Sequence, residues 1–221
     1  VQCDAEASGY VCVVPRILGA APRSGAVGAG SPSDASGGAP AWLVRGVRAA
    51  EDAAGLDGPA DRLAQVSEPL ARSPRLLGAL RGRWLGHSLH PLLTDVPLGA
   101  WIGVSALDVA GGRRARPAAT GLLGLGIAAA VPTALAGVAD WRTTTGRSRR
   151  VGVVHAAANS AALAIYCASL LARVRGRHRA GAALGLVAGT VATAGGYLGG
   201  HLTLVRKVGE GDPGFRDEGR E

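Results

Sequence analysis

The chain has 221 residues, of which 48% are apolar and only 4% aromatic, with 35 glycines and a formal charge of +8. That balance is too apolar and too rich in glycine and alanine for an ordinary soluble domain. No phosphate-cradling glycine loop occurs, and the basic residues flank apolar runs instead of marking a nucleic-acid-reading element, which argues against a soluble nucleotide-dependent enzyme and a nucleic-acid binder.

Residues 1–40 carry YVCVVPRILGAAP and then the low-complexity GAVGAGSPSDASGGAP. The apolar piece is short, broken by Pro15 and Arg16 and preceded by Asp4 and Glu6, so it makes a poor signal peptide. A disordered leader is expected. Methionine is absent even at position 1 and Lys207 is the only lysine, a bias expected of a GC-rich bacterial gene with Val1 read from a non-ATG start and the true start further downstream. Cys3, Cys12 and Cys167 fit neither a disulfide framework nor a zinc-ligand spacing.

From residue 41 to 86 the pattern turns amphipathic, with stops at Gly55 and Gly58 and helix-start signals at Pro59 and Ser73-Pro74. Leu76, Leu77, Leu80 and Trp84 share one face, against Arg75, Arg81 and Arg83. Periodicity leaves two readings open, a helix lying on the membrane surface or one packed on the protein's own loops.

Four apolar runs then decide the class: Leu89 to Ala110, Ala118 to Ala139, Val151 to Ala172 and Ala180 to Val205. Crossing hydrocarbon takes roughly 20 such residues in a helix. The arginine-rich loops GGRRARP, WRTTTGRSRR and RVRGRHR between them cannot reside in lipid. The fold class is therefore all-α, an integral membrane bundle of four transmembrane helices over residues 87–206 with an amphipathic helical segment before it and a short polar tail at 207–221. Seven arginines lie in the first and third loops and four in the second, so charge counting barely separates the two orientations. Without a signal peptide, both termini are expected in the cytoplasm of a bacterial inner membrane.

Threading the spans puts His87, His90, Asp95, Asp140, His155 and His201 in one layer near one membrane face, with His178 alone on the other. Helical phase gathers polar residues into stripes: Thr94, Pro97, Trp101, Ser105 and Asp108; Thr133 and Asp140; His155, Asn159, Tyr166 and Ser169; Thr190, Thr193, Tyr197 and His201. All four are expected to face inward. Pro97 also removes an amide donor and frees the carbonyl of Leu93, a defect tolerable only where a neighbouring group re-satisfies it.

A single histidine at a helix end caps carbonyls or snorkels to the interface, and Asp140 with Trp141 can serve as an interface anchor. Six ionisable groups in one layer point instead to a ligand or proton site. Haem b needs two neutral imidazoles from different helices, and the pairings available are His90 or His87 with His201, or His155 with His201, with Asn159 and Tyr197 beside them. A transition-metal site built from His90, His155 and His201 with Asp95 or Asp140 is the alternative. Residue types do not choose between them. Gly185 and Gly189 show the spacing of tight helix packing. No catalytic motif is recognisable. The function classes left open are electron transfer, exchanging with quinone or a separate iron–sulfur protein; proton-coupled or metal-ion transport; and a structural role without a cofactor.

LGHSLHPLLTDVPLGAW, Leu107-Asp108, GVADW, VGVVHAAANS and GGYLGGHL together resemble the bacterial four-helix membrane domain-of-unknown-function family numbered 2231, over roughly Ala41 to Lys207. The likeness is to members that continue into a Rieske-type iron–sulfur domain. It implies a membrane protein close to redox chemistry, without an established activity or ligand. Two departures stand out: VGEGDPGFRDEGRE after Lys207 lacks the Cys/His ligand pairs of such a centre, and Ser88 stands where relatives read proline.

Overall fold

A computed structural model describes residues 39–209. The disordered-leader expectation, Cys3, Cys12 and most of the polar tail lie outside the described residues. Within them the elements are helical: α1 (Ala41–Asp52), α2 (Asp57–Val66), α3 (Glu68–Ala71), α4 (Pro74–Leu80), α5 (Leu89–Ala110), α6 (Arg116–Trp141), α7 (Gly146–Val174) and α8 (His178–Gly200), the last continuing as a π-helical turn over His201–Val205. Four helices are long and apolar enough to cross a membrane.

Local chemistry sets their limits. α5 starts two residues before Pro91, and α6 carries Pro117 in its first turn, where the missing amide is no loss. The turns after α5 and α7 need left-handed backbone, supplied by Gly112 at φ 61° and Gly176 at φ 78°. Ser73 accepts a hydrogen bond from the amide of Leu76, which sets the start of α4. The carbonyl of Leu93, orphaned by Pro97, lies 3.1 Å from the hydroxyl of Thr133, which also contacts the carbonyl of Ala129 at 2.8 Å. A threonine on α6 thus makes the proline in α5 tolerable.

The four long helices form two tight hairpins, α5 with α6 and α7 with α8, which meet more sparingly through α6 against α7 and α5 against α8. α5 and α7 therefore stand diagonally. Where their side chains meet, the core is largest: Trp101 of α5 stacks on Tyr166 of α7 with ring centroids 4.1 Å apart, surrounded by Val104, Leu123, Ala162, Ala188 and Ala192. Between apolar helices in lipid, close packing replaces the hydrophobic effect as the cohesive force, and small residues permit it. Outward faces expose Ile102, Val109, Leu125, Val131 and Val187, as expected where hydrocarbon is the solvent.

Three of the four polar stripes face inward. The fourth does not: Thr190, Thr193 and Tyr197 are exposed, the last at 42%. α8 buries Gly181, Gly185, Ala188, Ala192 and Gly195 instead, because a face of small residues lets it lie close against α7. The threonine hydroxyls are satisfied locally, donating to the carbonyls of Leu186 and Gly189 one turn back.

α1 to α4 form a cap packed on the bundle's own loops, with α1 and α2 against α7 and α4 against α6. Every carboxylate of this segment has a cationic partner on the bundle. Glu51 pairs with His201 and Arg206, Asp52 with Arg147, Asp57 with Arg150, Asp61 with Arg149, and Glu68 with Arg142. Arg81 adds a hydrogen bond to the carbonyl of Ala139 at 2.9 Å. Trp141 is buried under the same loop, its indole N–H donating to the carbonyl of Arg149 and the Arg149 guanidinium lying over its ring, so it is no lipid anchor.

A candidate cofactor site at the capped end

His90 is the second residue of α5 and His155 lies on α7, and the two rings meet across the diagonal with centroids 6.2 Å apart and planes at 88°. Each is anchored by the hairpin it belongs to. His90 Nδ1 is 2.9 Å from the carbonyl oxygen of Thr133 on α6, and His155 Nδ1 is 2.8 Å from that of Gly195 on α8. A carbonyl only accepts, so in both rings Nδ1 carries the proton and, in the neutral form, Nε2 keeps its lone pair. The carbonyl-anchored Nδ1–H is the usual support of a metal-binding imidazole.

Glycine makes room for both rings. A Cβ on Gly137 of α6 would come 2.8 Å from His90, and one on Gly199 of α8 2.9 Å from His155. Either is closer than carbon atoms pack. Asn159, one turn along from His155, donates to that residue's carbonyl at 2.8 Å and lies 3.3 and 3.5 Å from its two ring nitrogens. Thr94 makes the equivalent bond to the carbonyl of His90 at 2.8 Å.

These correspondences recur along the axis. His90 and His155, Thr94 and Asn159, Trp101 and Tyr166, and Asp108 and Arg173 are each 65 residues apart, and in each of these pairs but the second the partners touch. On the other helices Thr133 and Gly195, and Gly137 and Gly199, are 62 apart and do the same work. The bundle thus has the pattern of two equivalent hairpins, with paired residues of α5 and α7 meeting across the diagonal.

The remaining candidates lie elsewhere. His201 turns to the cap, its Nε2 2.8 Å from Glu51, while Arg206 Nε lies 2.9 Å from the same carboxylate oxygen. Burial alone would push the Glu51 carboxyl up, but hydrogen bonds from His201 and Arg206 outweigh it and hold the group below its ordinary range. Asp140 is buried and accepts a short hydrogen bond from the hydroxyl of Ser88, a contact that proline at position 88 could not make. His87 is exposed in the loop before α5, Asp95 is exposed on the outer face of that helix, and Tyr197 faces outward on α8. His178 starts α8 at the opposite end. Among the described residues no three of His, Cys, Asp and Glu converge as a metal-holding group.

Sequence reasoning missed Glu51, whose pairing depends on how the cap folds back. It also missed the spacing of 65, which aligning the two hairpins on their histidines would have shown.

The family described as Predicted membrane protein (DUF2231) matches residues 86–212, more than half of the sequence, and the chain belongs to it. No curated protein and no solved structure gives a significant match.

Proposed function

We propose that this member of the family holds one haem b between His90 and His155 and serves as a membrane electron-transfer protein. One observation carries the reading: two imidazoles from diagonal helices, each fixed through Nδ1–H to a main-chain carbonyl, meet across the bundle with their planes perpendicular. Two imidazoles that held one haem iron, with metal–nitrogen bonds of roughly 2 Å each, would have ring centroids about 6 Å apart. The observed 6.2 Å fits that span. A two-histidine set also suits a macrocycle that supplies the metal's other four ligands, whereas a bare ion needs a third protein ligand that His201, engaged by Glu51, does not offer.

Haem b held this way supplies a one-electron couple. The chain's own residues do the rest. Thr133 and Gly195 fix the tautomer that leaves Nε2 free to bind, Gly137 and Gly199 let the rings sit against the helices, and the Trp101–Tyr166 stack lies deeper on the same diagonal. The sparing contact between the two hairpins favours insertion of a flat ring there over insertion within either hairpin.

The deciding measurement is the absorption spectrum of the purified full-length protein, oxidised and then reduced with dithionite. A Soret band with sharpened visible bands is expected in the wild type and in the His201→Ala and His178→Ala variants, and is lost in His90→Ala and His155→Ala. A colourless protein after expression with added haem would overturn the reading and leave transport or a structural role.

The capped face is assigned to the cytoplasm. Ten arginines and lysines lie near the span ends on that face, between Arg72 and Arg83, between Arg142 and Arg150, and at Arg206 and Lys207. The opposite loops hold seven. A reporter fused after Glu221 should be active only as a cytoplasmic enzyme, and periplasmic activity would reverse the assignment.

A further inference from the structure

The cap is two-faced in charge. All five of its carboxylates are paired with cations of the bundle, and none is left to neutralise the cap's own arginines. Arg45, Arg48, Arg75 and Arg83 are exposed and have no ion-pair partner among the described residues. Two of the chain's four tryptophans lie next to them along the chain, Trp42 one turn before Arg45 at 67% exposure and Trp84 beside Arg83 at 70%, whereas Trp101 and Trp141 are buried. The indole of Trp84 is held in place by a hydrogen bond to the carbonyl of Ala79 at 3.2 Å. Exposed tryptophan beside exposed arginine, on helices fixed to the end of a membrane bundle, is the composition of the headgroup level: the ring prefers the boundary between hydrocarbon and water, and guanidinium binds phosphate.

We propose that the outer surface of the cap is a binding surface for anionic phospholipid headgroups, with Trp42 and Trp84 seated at the boundary and the four arginines on lipid phosphates. Such a surface attracts acidic lipid through the field of its unpaired charges. It fixes the height of the bundle in the bilayer without using the bundle's own spans. An acidic protein docking on the same arginines would leave the tryptophans in water, and this difference makes the two separable.

The test uses the full-length protein in nanodiscs of phosphatidylcholine alone or with phosphatidylglycerol. Brominated phospholipid should quench a share of the tryptophan emission that is absent from the Trp42→Phe/Trp84→Phe variant, while acrylamide in the aqueous phase should quench that share poorly. Phosphatidylglycerol should raise the thermal midpoint, and Arg45→Gln/Arg48→Gln/Arg75→Gln/Arg83→Gln should lose that shift while melting normally in phosphatidylcholine. If acrylamide quenches Trp42 and Trp84 freely and brominated lipid does not, in discs containing phosphatidylglycerol, the proposal fails. The quenching is read on the wild type, so the result does not depend on the quadruple variant folding.

Discussion

Two polar layers lie on the bundle axis, and they are finished to different degrees. At the end away from the cap, the Arg173 side chain is 1% exposed and its guanidinium meets both carboxylate oxygens of Asp108, while its Nε–H donates to Ser169, whose hydroxyl in turn donates to the carbonyl of Gly181. Asp108 and the Nε–H of Arg173 are both spoken for. At the capped end, about 18 residues or roughly 27 Å away along the helix, His90 and His155 have their Nδ1–H groups placed on carbonyls, while the Asn159 amide stands at a long 3.5 Å from His155 Nε2. A layer whose groups are satisfied internally is a structural lock. A layer that fixes half of each group through Nδ1 is the one the proposed function assigns to a cofactor.

The sharpest break between the two is expected at the lock. Asp108→Ala leaves a buried guanidinium uncompensated and should destabilise the protein by about 3–5 kcal/mol, read as a large fall in melting temperature in detergent. Replacing both partners by apolar residues, Asp108→Leu with Arg173→Met, should recover most of that loss. His155→Ala should behave in the opposite way, with the cofactor lost and the apoprotein melting close to the wild-type apoprotein. If Asp108→Ala removed the spectrum and His155→Ala removed the fold, the roles assigned to the two ends would be exchanged.

Glycine separates the layers at the next size of effect. Gly185 lies under the lock, and a Cβ there would make ordinary contacts at 3.5 Å with Arg173 and 3.6 Å with Ser169. Gly185→Ala should therefore be near neutral, whereas Gly185→Leu overpacks and should cost roughly 1–3 kcal/mol. Gly137→Ala and Gly199→Ala press on the imidazoles and should lower cofactor occupancy about 10–100-fold, the usual cost of disturbing the support of a ligand.

The cap gives the smallest effect and carries the pH dependence. Glu51 is held below the ordinary glutamate range in the folded protein, so its bonds stabilise the cap fully above the unfolded value of about 4.3 and lose that contribution as pH falls through the lower folded value. Protease access to the segment 41–80 should rise on acidification in the wild type and be already raised, and less steep in pH, in Glu51→Gln. Asp52→Asn, which breaks a pair more than half exposed on both sides, should leave access unchanged.

Much of this was legible in the sequence. The four spans, the inward stripes of α5, α6 and α7 and the need to re-satisfy the carbonyl of Leu93 followed from apolar run length, helical phase and the chemistry of proline. The stripe of α8 did not, because phase counts polar residues and says nothing of the closeness that Gly181, Gly185 and Gly195 allow. Depth placed His90, His155 and His201 in one layer. Each pairing it offered used His201, and the structure turns that residue to Glu51 and brings His90 and His155 together instead, since the outcome depends on which helices are diagonal and on a carboxylate 150 positions from His201 in a segment whose docking surface periodicity left open.

The spacing of 65 also separates what two identical hairpins could assemble from what one chain can. A symmetric dimer sets each residue on its two-fold axis opposite its own copy. Histidine opposite histidine is available to such a dimer. Aspartate opposite arginine is not, since its two choices would be a pair of buried carboxylates or a pair of buried guanidiniums. Joining both hairpins in a single polypeptide allows Asp108 and Arg173 to differ at equivalent positions while His90 and His155 stay the same. The covalent link thus permits a like pair of imidazoles at one end of the bundle and a charge-complementary clasp at the other.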